Sequence, residues 1–264
     1  MMSRPWHVPV DAVDQISLVP FVLHAYRGTQ RFEGWATGFV WVCQDVGVLV
    51  SNWHVFSHRN QETKTCIRGD GGTPDRLIAI MPFSERGSEP ARLEIPILDD
   101  GEEPLWSTHP ALGSDADIAA IAIDKPPAGI HVQPVNVIPQ LPLTRTAGGF
   151  AHVIGFPFER DRYGLPIWKL ASFASEPMLA PVRQPYLLVD TASRPGMSGS
   201  PVFQREFGTV TTRDGRNGMV NNGQGACEFV GIYSGRLRTS NDSEVQLGKV
   251  WHAQLVEETA HNAA

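Results

Sequence analysis

Apolar residues run along this chain in short stretches that alternate with polar positions and are broken by glycine, the period-two signature of strands with one buried face. Residues 17–26 (SLVPFVLHAY), 32–43 (FEGWATGFVWVC) and 47–52 (GVLVSN) read as successive antiparallel strands. A polar excursion follows from Ser57 to Asp75, then strand signals return at 76–82, 91–98 and 117–124. From Lys125 to Leu143 the chain is proline-rich and loses periodicity, which predicts a crossing between two domains. A second set of strands is predicted at 150–156, 166–173, 186–191, 199–204 and 227–235, with a long polar loop from Arg205 to Ala226. Two sets of about six short strands predict an all-β fold of two antiparallel six-stranded β-barrels. The first barrel spans 17–125, a linker 126–145, and the second barrel 146–264, closed by an amphipathic C-terminal helix over Trp251 to Asn262.

Composition narrows the function. In 264 residues, a hydrophobic content of 42% is enough for packed cores, and 25 glycines with 21 prolines favour strands and turns over helices. The formal net charge is −6 and no Lys/Arg cluster occurs, so neither nucleic acid nor an anionic membrane is an expected partner. Met1 to Val13 reads as neither a secretory leader nor a membrane span. Cys43, Cys66 and Cys227 include no C-x-x-C pair, and together these features predict thiols in a reducing cytoplasm.

The chemistry centres on Arg194 to Phe203, a tight glycine-bounded turn that presents the Ser198 hydroxyl and then enters a strand. Gly196 and Gly199 allow the sharp bend, and in such a turn the amides of Gly196 and Ser198 can converge as an oxyanion hole. Upstream, His54 stands where the apolar strand VLVSN ends, a rigid place for a general base. Asp117 opens the aliphatic run IAAIAI, where a carboxylate is held half-buried; Asp115 serves equally well as a turn cap. His58 forms H-x-x-x-H with His54, but no glutamate follows His54 as a zinc hydrolase motif requires, so no metal is assigned. The order His54, Asp117, Ser198 differs from the Ser, Asp, His order of α/β-hydrolases and the Asp, His, Ser order of subtilisins.

These stretches resemble the trypsin-like serine peptidases of the chymotrypsin fold, and among them the bacterial disulfide-free branch that includes the HtrA and glutamyl-endopeptidase groups. Ala36 to Val40 resembles the family's G-S-G-F strand, and Gly47 to Val55 its G-x-(aliphatic)-x-T-N-x-H-V. Asp117 to Ala119 resembles D-(aliphatic)-A, Gly196 to Pro201 resembles G-N-S-G-(G/S)-P, and Gly231 to Gly235 resembles the strand beside the substrate backbone. The resemblance implies that Ser198 attacks a peptide carbonyl, His54 carries the proton, and Asp117 orients the imidazole, without cofactor. The partner implied is a protein or peptide substrate, and the polar loop from Arg205 to Ala226 offers a place for a regulatory protein; the alternative is a catalytically silent relative that uses the cleft as a binding module. Ser234, Gly235 and Arg236 are placed beside the substrate. Ala192, six residues before the nucleophile, is placed at the base of the specificity pocket, where it disfavours Lys or Arg, whereas Arg236 favours an acidic group. Met197 stands where zymogen-activated relatives carry an aspartate, so activation by a new amino terminus is not expected.

Overall fold

A computed structural model describes residues 13–67, 72–81, 91–123, 132–159, 164–178, 185–192, 194–237 and 246–264. Residues 1–12 of the N-terminal stretch read for a leader, and residues 124–131, which include the start of the expected linker, lie outside the described residues. The first half forms one antiparallel sheet of β1 (Phe21–Arg27), β2 (Gln30–Arg31), β3 (Ala36–Cys43), β4 (Val46–Ser51), β5 (Arg76–Met81), β6 (Ala91–Pro96), β7 (Ser107–Thr108) and β8 (Ala119–Ile123). The order is β6-β5-β1-β3-β4-β8-β7, with β2 paired to β1. Its two ends meet where Leu98 bridges Pro104 and the Leu105 amide donates to Ile97 O at 3.0 Å. This half therefore has six long strands and two short ones, joined at a seam by an isolated bridge.

The second half closes completely. Strands β9 (Phe150–Gly155), β10 (Ile167–Phe173), β11 (Tyr186–Asp190), β12 (Pro201–Glu206), β15 (Ala226–Arg236) and β16 (Leu247–His252) form the closed barrel β10-β11-β16-β15-β12-β9. Between β12 and β15 the structure corrects the expected polar loop: β13 (Gly208–Thr211) and β14 (Asn217–Val220) pair as a hairpin. Its anchor is buried Glu228, which meets Arg145 at 2.9 Å and Arg213, beyond β13, at 2.7 Å. A short helix, α1 (Trp53–Ser57), follows β4, and α2 (Ala253–Ala263) ends the chain two residues later than expected at its start, because Trp251 and His252 complete β16. No helix among the described residues is long and apolar enough to cross a membrane.

Strands β3 and β4 read as continuous apolar runs because both of their faces are covered. Ala36, Val40 and Leu49 enter the core of the first barrel, while Phe39, Trp41, Val48 and Val50 join a second core shared with Phe203, Phe229 and Trp251 of the other barrel and with Val256 of α2. Phe229 sits at the centre of this shared core, 5.6 Å from both Phe39 and Phe203 ring to ring. Helix α2 also reaches the first barrel: Glu258 meets buried His109 at 2.6 Å, and Asn262 donates to Thr108 O at 3.1 Å. The two barrels are thereby held in one register, with a cleft between them.

Candidate active site

Strand pairing builds the first wall of the cleft. Ser51 at the end of β4 pairs with Ala119 at the start of β8, which brings the residues after one strand beside those before the other. Buried Asn52 donates from Nδ2 to Asp117 O at 2.8 Å and fixes that junction. Asp117, only 3% exposed, then takes His54 twice: Oδ1 accepts from the His54 amide at 3.0 Å and Oδ2 lies 2.8 Å from Nδ1. A carboxylate in that position assigns the proton to Nδ1 and leaves Nε2 as a base. Asp115 lies outside, its side chain 83% exposed and 3.4 Å from Lys64 Nζ. His58 turns away from His54, buried against the Phe32 ring at 4.5 Å. Among the described residues no group of three or more His, Cys, Asp or Glu side chains could hold a metal ion.

The second wall is the turn from Arg194 to Ser200. Gly196 has φ +88°, and a Cβ there would stand 2.0 Å from Trp35 Nε1 and 2.4 Å from Phe156 O. Gly199 has φ +83°, and its Cβ would stand 1.9 Å from Thr37 O. Glycine is therefore required at both places by conformation and by space. The Met197 carbonyl accepts from the Ser200 amide at 3.1 Å, and because a trans peptide sets C=O and N–H in opposite directions, the Ser198 N–H points away from that turn. Among the described residues neither the Gly196 nor the Ser198 amide is taken by a backbone carbonyl. Both are left as donors at the turn.

Thr37 holds this turn from the opposite barrel, a role that the sequence reading missed. Its hydroxyl donates to Gly196 O at 2.8 Å, its amide donates to Ser198 O at 2.8 Å, and its own carbonyl accepts from Ser51 Oγ at 2.8 Å. The available signal was a hydroxyl inside an apolar strand: Thr37 is fully buried.

A cleft of about 380 Å³ brings together His54, Asp117, Ser198, Ser234, Gly235 and Arg236. Gly235 lies beside the nucleophile candidate, and its φ of +93° favours glycine, while a Cβ there would make only an ordinary contact with Ser198 Oγ at 3.9 Å. Ala192 departs from its expected place. It is exposed and does not line the cleft, whose wall there is supplied by exposed Arg194 and Pro195. The thiols stand apart from the cleft: none of the three cysteines is in a disulfide, and burial pushes those of Cys43 and Cys227 above the usual thiol range.

A family model described as a trypsin-like peptidase domain matches residues 36–211. Among solved structures, the chain is similar to the serine endoprotease from Yersinia pestis, at 15% identity and a TM-score of 0.47, covering 96% of this chain and 66% of that one. It is also similar to Rv3671c protease in its inactive form, at 15% identity and a TM-score of 0.46, covering 94% of this chain and 90% of that one. No curated protein matches the sequence. The family match spans well over half of the chain and includes all three residues His54, Asp117 and Ser198, and the chain belongs to the trypsin-like peptidase domain family.

Proposed function

We propose that this protein is a serine endopeptidase in which His54, Asp117 and Ser198 act as one catalytic unit. Ser198 Oγ attacks the peptide carbonyl as Nε2 of His54 takes its proton. The tetrahedral intermediate collapses to an acyl-enzyme when the imidazolium returns that proton to the leaving amine, and water then repeats the sequence to free the acid. Asp117 holds the tautomer and the developing imidazolium. The amides of Gly196 and Ser198 receive the oxyanion, where each pre-aimed donor lowers the barrier by about 3 kcal/mol.

The observation that carries the reading is the buried Asp117 carboxylate, bound to both the amide and the ring of His54 in the cleft that Ser198 enters. A buried anion with both oxygens committed to one histidine orients that histidine; a loop histidine with a structural role has no need of it. Peptide-library cleavage tests the proposal. The wild type should cut internal peptide bonds and Ser198→Ala should not, whereas equal cleavage by both proteins contradicts it.

A further inference from the structure

The cleft carries a charge that the chain as a whole does not. The protein has a formal net charge of −6, yet Arg194, Arg236 and Lys249 all line the cleft. Among the described residues only two carboxylates line it with them, Glu62 and Asp117, and Asp117 is buried against His54.

The position of Lys249 is set by register. On β15 and β16, Tyr233 pairs with Val250 and Arg236 with Gly248, so Ser234 and Gly235 together stand opposite the single residue Lys249. This bulge interrupts the ladder where β15 borders the cleft. Lys249 is held along its stem, 12% exposed, with Nζ 5.4 Å from the Tyr186 ring centroid. Its ammonium meets Glu62 Oε1 at 2.6 Å. Glu62 belongs to the loop after α1 on the opposite barrel, so this ion pair spans the cleft. The two partners differ in burial: the lysine is packed, while the Glu62 side chain is 46% exposed.

We infer that the cleft selects acidic polypeptides and that Lys249 takes a substrate carboxylate in exchange for Glu62. This rests on the cleft being the substrate site proposed above. Glu62 is the exposed member of the pair, so a competing carboxylate reaches the Lys249 ammonium from that side. Exposed Arg194 adds a cation to the same surface, and clustered positive charge concentrates acidic ligands. A lysine-rich chain meets repulsion along the same path.

The test is binding to Ser198→Ala protein, which separates recognition from chemistry. Fluorescent peptides matched except for Glu, Gln or Lys at the variable positions are compared by anisotropy at low and high salt. The Glu peptide should bind about tenfold tighter than its Gln isostere at low ionic strength, with the gap closing as salt rises. Lys249→Gln should remove most of that gap, and Glu62→Gln, at an exposed position, should widen it. Equal binding of Glu and Gln peptides, or a gap that survives Lys249→Gln undiminished, overturns the inference. Wild-type cleavage of the same peptides keeps the two readings apart. A protein that prefers acidic peptides but cuts none refutes the peptidase and sustains the charge selection; one that cuts without regard to charge does the reverse.

Discussion

At the scale of single residues, the account depends on groups that act together. Ser198→Ala or His54→Ala should each lower turnover by about 10⁴-fold or more, and the double variant should be little worse, because either loss disables the unit. Additive losses in steady-state kinetics would contradict a shared role. Asp117→Asn should be crippling and Asp115→Asn mild, given that Asp117 touches His54 while Asp115 is exposed beside Lys64. Thr37→Val keeps the amide bond to Ser198 O but removes the hydroxyl from Gly196 O. Losing one buried hydrogen bond costs about 1–2 kcal/mol, and kcat should fall more than KM rises if that bond aims the oxyanion turn. His54, Asp117 and Ser198 were candidates in the sequence because each sits in a local motif, and the structure brings the three to one cleft. Thr37 and Lys249 were not, since their roles arise from contacts 159 and 187 residues away in the chain. Ala192 was misplaced for a related reason: a count of residues before the nucleophile cannot say which way the connecting backbone turns.

At the scale of elements, the strands were readable because period-two alternation and glycine breaks are local signals. The hairpin β13–β14 was not, because Gly208 to Val220 holds few apolar residues and its stability comes from elsewhere. Arg213 reaches buried Glu228, the Arg213 amide donates to Pro142 O at 2.8 Å, and Leu143 bridges Thr212. Burial pushes the Glu228 carboxyl up and the Arg145 guanidinium down against their mutual attraction, so loss of one partner leaves a buried charge short of compensation. Removing one partner of such a buried pair costs about 3–5 kcal/mol. Arg145→Met should therefore lower the urea midpoint strongly, and replacing 207–222 with a short Gly-Ser turn should destabilise the second barrel as well. Unchanged midpoints would show that the hairpin is an appendage.

At the scale of the whole molecule, the two barrels share a core and are bridged by α2, and the catalytic reading requires that they stay in register. His252, at the junction of β16 and α2, is 7% exposed, and burial and then Arg145 lower its pKa from 6.5 to about 4. A histidine with a depressed folded pKa binds its proton more readily when unfolded. Its contribution is full above pH 6.5 and is lost as pH falls toward 4, a change of about 3 kcal/mol. His252→Asn should flatten that part of the stability profile measured by urea unfolding; an unaltered profile would assign the acid sensitivity to other groups. Met197 belongs to the same scale, since it is 1% exposed in the core of the second barrel with Tyr233 and Val250. A freed ammonium buried there would lack a partner and cost about 3 kcal/mol or more, so the oxyanion turn is proposed to be ordered by this packing without cleavage of the chain. The central claim is an activated Ser198, and its most direct test is labelling of the intact, N-terminally tagged protein with a fluorophosphonate, followed by mass mapping. The account predicts the label on Ser198 in the wild type and its loss in His54→Ala; a folded wild type with Ser198 unlabelled would contradict it.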